Sequence, residues 1–321
     1  MDDTDARDSD LHPALDRALA TFPRANAGRA ARALGIILRA RKARDGSACW
    51  SSSRLTGDGF PVELAFTTGD DRLRYTAEVC SARVPPEQRL SIALELLRSL
   101  GEREPASEDV AQLGELQRGG PLKYGVWLGG RHAANDDQYK LYVELPQAAG
   151  DFVRSRGCPP APRLSDRVLV PRMLAYLPAT DGYEIYYRVE SLAPHHLPRL
   201  LHHCGLEACT SSVVDLLERA SGRALRDRLP GPSVGVSYAL LADRAVSLTL
   251  FLYARSLWGT DARIRCGFAA AARELASDTE SYRRATAPLA ERRSWQTRHG
   301  LVGVTLGAAG RFALNVGVRP E

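Results

Sequence analysis

The segment DDQYKLYVELP, residues 136–146, alternates Leu141, Val143 and Leu145 with Lys140, Tyr142 and Glu144, the period-two pattern of a β-strand. Its second face is unusual. Of the 43 Lys and Arg residues in the chain only three are lysines, Lys42, Lys123 and Lys140, so arginine is the default cation. A lysine two residues from a tyrosine on one strand face asks for a specific reason, and that reason depends on what the face looks towards.

The neighbouring sequence repeats the pattern. Five segments read as strand pairs around short polar turns. FPVELAFT (60–67) and RLRYTAEV (72–79) flank TGDD, and LKYGVWLGG (122–130) and QYKLYVELP (138–146) flank RHAANDD. RMLAYLP (172–178) and YEIYYRVES (183–191) follow, then SVGVSYALL (233–241) and AVSLTLFLYA (245–254). GLVGVTLG (300–307) and RFALNVGV (311–318) close the series. Between the pairs lie helical periodicities, at 11–22 and 27–44, 85–100 and 107–117, 193–206 and 211–225, and 262–276 and 281–293. The fold expected is an α/β (α+β) one: a ten-stranded antiparallel β-barrel built from five αββα repeats, with the helices outside. Residues 1–10, MDDTDARDSD, are acidic without an apolar core and read as a disordered lead-in, leaving 11–321 as a single barrel domain.

A barrel wrapped in helices has apolar outward faces and a lumen wide enough to be polar. The strands comply. Leu73, Tyr75, Ala77 and Val79 alternate with Arg72, Arg74, Thr76 and Glu78, while Val62, Leu64 and Phe66 alternate with Glu63 and Thr67. Further inward sets are Glu184, Tyr186 and Arg188; Ser247, Thr249, Phe251, Tyr253 and Arg255; and Arg311, Ala313, Asn315 and Gly317. Trp127 falls on the inward phase of its strand, and so does Lys123 near a barrel mouth. An antiparallel sheet with one solvated face gives the same alternation. The aromatics on these polar faces argue instead for an enclosed lumen.

Composition excludes several functions. No apolar run reaches the roughly 18 residues of a membrane span. Six scattered cysteines without a CxxC pair fit free thiols in a reducing, cytoplasmic setting. A net charge of +5 suits an anionic ligand, but no basic block or aromatic RNA-binding motif points to nucleic acid. His195, His196, His202, His203 and Cys204 cluster in sequence without a familiar ligand spacing, so no metal site is expected. There is no aspartate-rich DDxxD cluster for magnesium, and GVWLGGRH lacks the following helix of a dinucleotide loop.

Cations interleaved with tyrosines and one carboxylate suit transfer of a carbocationic group from a diphosphate: the cations bind the leaving group, the rings shield the cation and the carboxylate takes a proton. Here the chain resembles the ABBA-fold aromatic prenyltransferases, in their dimethylallyl-tryptophan-synthase-like branch. GFPVELAFT resembles that branch's G-x-P-x-E strand through Gly59, Pro61 and Glu63; RLRYTAEV resembles its arginine strand through Arg74; YKLYVELP resembles its K-x-Y strand through Lys140 and Tyr142. The resemblance implies Glu63 as the catalytic proton acceptor and Arg74, Lys140 and, shifted by one inward step, Arg188 as diphosphate ligands. It implies Tyr142, Tyr186 and Tyr253 as the cation shield; by their inward phase Trp127 (core otherwise), Phe251, Asn315 and Gly317 are expected to line the acceptor and prenyl pocket. The substrates expected are an allylic diphosphate and a small aromatic, indole-type acceptor such as tryptophan, with no cofactor and no metal. The chain departs from the branch where R-x-K-x-Y is expected, since Glu184, Tyr186 and Arg188 stand there, and the small residues Asn315 and Gly317 suggest an enlarged pocket. Prenylation of an aromatic residue within a peptide, or a barrel that binds without catalysing, are the alternatives.

Overall fold

The computed structural model describes residues 11–45, 50–81, 83–146, 162–241, 244–307 and 310–321; the expected lead-in over 1–10 lies outside them. Two helices, α1 (Pro13–Leu19) and α2 (Arg24–Asp45), precede the first hairpin, β1 (Val62–Thr67) and β2 (Asp70–Glu78). Then come α3 (Arg89–Ser99), α4 (Ser107–Arg118), β3 (Val126–His132), β4 (Asp137–Glu144), β5 (Val170–Leu177) and β6 (Gly182–Glu190). The second half adds α5 (Leu197–His202), α6 (Thr210–Ser221), β7 (Ser233–Leu241), β8 (Arg244–Tyr253), α7 (Ala254–Trp258), α8 (Asp261–Glu274), α9 (Glu280–Ala285), β9 (His299–Leu306) and β10 (Phe312–Val318).

The ten strands form one closed antiparallel barrel in which each strand pairs with its neighbours in sequence and β1 pairs with β10. Closure satisfies every strand edge. The expected barrel with helices outside is therefore the fold found. Its core is the layer between strands and helices. Leu73, Ala77, Leu141, Val143, Leu248, Leu250 and Val304 are essentially inaccessible, as are Ala30, Leu34 and Ile37 of α2 and Ala93 and Leu97 of α3. Each such large apolar side chain contributes roughly 1.5–3 kcal/mol through burial. Among the described residues no helix is long and apolar enough to cross a membrane.

Gly59 shows why the entry to β1 carries a glycine. Its φ is +86°, and a Cβ there would lie 2.3 Å from the Ser51 carbonyl oxygen.

Three expectations need correction. The second hairpin turn is shorter than RHAANDD suggests, because β3 runs on through Arg131 and His132, which pair with Gln138 and Asp137. Arg131 thereby becomes a lumen residue. Conversely, β8 ends at Tyr253, and Arg255 lies on α7 instead of an inward strand face. Buried Trp258 draws that segment outwards: its ring covers Gly267 of α8, and its indole N–H donates to the Ala220 carbonyl of α6 at 2.6 Å. Arg311 precedes β10 and is exposed.

Candidate active site in the barrel lumen

Odd strands begin at one end of the barrel, the entry end, and the hairpin turns lie at the other. Two inward-phase carboxylates are consumed in closing the entry end. Glu78, wholly buried, pairs with Arg41 of α2 at 2.7 Å and with Arg89 of α3 at 3.5 Å. Glu144 accepts the backbone N–H groups of Lys123, Tyr124 and Gly125, which pins the chain entering β3. Lys123 itself is exposed, its ammonium 4.8 Å from the Tyr124 ring. The glutamate of KLYVELP is thus structural, and so is that of RLRYTAEV.

Glu63 stands apart from these. It faces the lumen from β1, and burial pushes its carboxyl up to about 7. The next two strands round the barrel, β10 and β9, make room for it. A Cβ on Gly300 would lie 2.4 Å from Glu63 Oε2, and one on Gly317 would lie 2.3 Å from Oε1. Gly317 therefore does not enlarge the pocket as expected; its missing side chain is filled by the carboxylate. Asn315 likewise lies over Gly303, where a Cβ would meet its amide at 2.4 Å, and its amide reaches Thr305 Oγ1 at 3.5 Å. Small residues on β9 and β10 here accommodate inward polar groups from nearby strands.

Lys140 lies midway along the lumen. It donates to Glu184 and, at 2.9 Å, to the Tyr186 hydroxyl, and its ammonium sits 5.1 Å from the Tyr142 ring and 5.4 Å from the Tyr186 ring. Ser237 donates to the other oxygen of Glu184 at 2.5 Å. Burial disfavours both charges, but their partners together outweigh that penalty (Glu184 and Tyr142 for Lys140; Lys140, Ser237 and Tyr186 for Glu184), so Lys140 is held above its usual range and Glu184 below its own. Glu184 is thus the partner of Lys140. An ammonium has three N–H donors, and these contacts use two.

The aromatic wall is continuous. Tyr142 and Tyr186 have ring centroids 5.9 Å apart, and Tyr186 and Phe251 are 5.8 Å apart. Gly129 and Gly235 give these rings space: a Cβ would lie 3.0 Å from Tyr142 and 3.1 Å from Phe251. Trp127 pairs with Tyr142 across the β3–β4 ladder and packs on Tyr124 at 4.8 Å, and its buried indole N–H has no partner among the described residues. Tyr253 is placed differently. It is 37% exposed, at the entry end, with the Arg255 guanidinium 5.8 Å from its ring.

Cations gather towards the hairpin turns. Arg72 and Arg74 both bind Asp70, the former in a bidentate pair at 2.8 and 3.0 Å. Against its burial, the two guanidiniums hold Asp70 well below the usual carboxylate range. Arg74 keeps a buried Nε–H without a partner among the described residues. Opposite it on β3 stands Arg131, its guanidinium pushed down to about 10 by burial and by Arg74 and Arg72, and still charged at neutral pH. Alternation identifies Arg131 once β3 is extended by two residues; only the turn boundary concealed it. Arg188 is remote from this group. It is exposed near the entry end, pairs with Glu190 at 2.8 Å and lines a cavity of about 320 Å³ with Arg172 and Val170.

Outside the barrel, Asp166, His195 and His196 bring ligand atoms within 4.8 Å of one another. His196 accepts the Ala193 N–H through Nδ1 and turns Nε2 to Asp166 at 2.6 Å, so both its ring nitrogens are engaged.

No sequence-family profile matches the chain, and no curated protein matches it. Solved structures do match. The 5-dimethylallyl tryptophan synthase of Streptomyces coelicolor, in complex with DMASPP and Trp, superposes with a TM-score of 0.76 at 17% identity, over 96% of this chain and 93% of its own. The 6-dimethylallyltryptophan synthase of Micromonospora olivasterospora gives 0.74 at 17% identity, over 95% and 96%. AnaPT from Neosartorya fischeri gives 0.67 at 13% identity, over 96% and 91%. The protein thus shares the ABBA prenyltransferase barrel over nearly its whole length. At these identities the likeness is one of fold.

Proposed function

We propose that the protein is an aromatic prenyltransferase that moves an allylic group from its diphosphate to an indole-type acceptor without a metal. The observation that carries this reading is one lumen in which a cluster of guanidiniums, a tyrosine wall and a lone carboxyl near neutrality follow one another along the barrel. Fold alone would not support it, since one fold hosts many functions.

In this reading Arg74 and the remaining N–H of Lys140 hold the diphosphate and offset its charge as the C–O bond breaks. Tyr142, Tyr186 and Phe251 face the allylic cation and exclude water from it. The acceptor ring, seated between Trp127 and Glu63, attacks the cation, and Glu63 takes the proton released. A carboxyl pushed up to about 7 suits that exchange near neutral pH. The solved neighbours held with DMASPP and Trp support this substrate pair. Arg188 and Tyr253 sit at the entry end, where they serve acceptor access better than ionisation.

One observation favours a second reading, a barrel that binds without catalysing. Lys140 and Arg74 are each already paired with a carboxylate, which lowers the charge available to a leaving group. The test is incubation of the full chain, in EDTA, with dimethylallyl, geranyl or farnesyl diphosphate and either tryptophan or a tryptophan-containing peptide, with products read by mass spectrometry. A prenylated product that disappears in Glu63→Gln supports the enzyme, and the acceptor consumed separates free indole from peptide. Donor binding with no turnover on any acceptor selects the binding protein.

A further inference from the structure

We infer that Arg131 is a diphosphate-binding residue, and that the anion seats between Arg74 and Arg131 towards the hairpin-turn end of the barrel, with Lys140 only at its edge. This rests on the proposed diphosphate donor and adds to it a residue that the resemblance does not supply.

The argument starts from pairing. Arg74 and Arg131 stand directly opposite each other on β2 and β3, both on the inward phase. Like charges in that relation are destabilising, and burial sharpens the cost. A third guanidinium, Arg72, adjoins them. Asp70 is the one carboxylate bonded to these three among the described residues, and it is shared by Arg72 and Arg74. Among the described residues Arg131 has only a long contact, 3.4 Å, from its Nη1 to the Gln138 amide oxygen. Asp71 and Asp136 act on Arg72 only at longer range, so among the described residues no carboxylate is bonded to Arg131, which stands beside the unpartnered Nε–H of Arg74 in a partly enclosed place.

Lys140 differs, because Glu184 cancels its charge and Tyr186 takes a second donor. A diphosphate carries two phosphoryl groups with neighbouring oxygens, and planar guanidiniums bind such oxygens in bidentate fashion. The free charge and the free donors therefore both lie on the Arg74–Arg131 side. Tyr142 joins the two regions: its ring lies over Gly129, two residues from Arg131, and beside Lys140. An allylic group on a diphosphate held there would extend along the tyrosine wall towards Glu63.

The test is calorimetric titration of the full chain with inorganic pyrophosphate, comparing wild type with Arg131→Gln, Gln138→Glu and the exposed-arginine control Arg98→Gln. Loss of a charge-assisted hydrogen bond predicts a tenfold or greater weakening in Arg131→Gln. Gln138→Glu, which supplies Arg131 with a carboxylate, should weaken binding similarly, and Arg98→Gln should stay within twofold of wild type. Arg131→Gln should also melt at or above the wild-type temperature, since it removes a like-charge pair; a merely structural arginine would lower it. Should Arg131→Gln fail to fold, Gln138→Glu carries the comparison. Pyrophosphate bound equally well by wild type and both lumen variants overturns the assignment while leaving the donor reading intact. Absence of pyrophosphate binding by the wild type removes the donor reading, and Arg131's role with it.

Discussion

Glu63 makes the barrel less stable as pH rises, and the size of that effect follows from its setting. In the unfolded chain the carboxyl titrates at 4.5; in the fold burial moves it to about 7. Between those values the folded protein keeps a proton that the unfolded chain has released, so stability falls with rising pH across that window. The penalty is absent below 4.5 and complete above 7. A shift of this size corresponds to about 3 kcal/mol as an upper bound, because Glu63 retains some access to the lumen and water there screens its charge. Between pH 5 and pH 8 the wild type should lose up to about 2–3 kcal/mol from this group, or up to about 4 °C in melting temperature for a chain of this length. Glu63→Gln keeps the shape of the protonated acid and cannot ionise. It should match the wild type near pH 4.5 and exceed it at pH 8 by up to that amount. The assay is denaturant unfolding of both proteins at pH 5, 6, 7 and 8. Equal loss of stability in the two over that range would refute the assignment of a buried, uncompensated carboxyl. If the proposed chemistry holds, wild-type kcat/KM rises with pH through about 7, and Glu63→Gln gives no turnover at any pH in that range.

Other perturbations address the rest of the site. Gly317→Ala sets a Cβ 2.3 Å from Glu63 Oε1, so the carboxylate must move; turnover should fall at least tenfold while pyrophosphate affinity stays within twofold, as read by product formation and calorimetry. Lys140→Ala strands Glu184 and should cost about 3–5 kcal/mol in urea unfolding at pH 7, whereas Lys140→Met with Glu184→Gln should cost far less. Acid should return part of the single-variant loss, because the depressed Glu184 carboxyl rises once Lys140 is gone and then takes up a proton. Glu78→Gln leaves Arg41 and Arg89 without their buried carboxylate; a loss of about 3–5 kcal/mol is expected in the same assay, and a loss below 1 kcal/mol would show that the entry end does not depend on that cluster.

Much of this architecture was readable in advance because strand alternation is local. Leu141 and Val143 against Lys140 and Tyr142, or Leu248 and Leu250 against Thr249 and Phe251, declare their faces by period two wherever the strand lies. Which inward polar groups remain available to a ligand is another matter, since the partners come from far along the chain. Glu78 is claimed by Arg41, 37 residues away, and Lys140 by Glu184, 44 residues away. Arg131 was hidden by a turn boundary two residues in error, which is enough to move a side chain from a loop tip to the lumen. Arg188 and Tyr253 keep the inward phase but lie so near the entry end that phase says nothing about depth.

The sequence by itself determined the closed αββα barrel, the polar character of its lumen and the set from which any site must be drawn, because hydrophobic periodicity and turn chemistry act over a few residues. Tertiary structure alone decided which of those residues are occupied and which are free. Depth along the barrel, the cross-strand partner and the space left by a glycine on the next strand are long-range quantities: Gly317 accommodates the Glu63 carboxylate across more than 250 residues of sequence, and charge pairing over such separations leaves no local pattern to read.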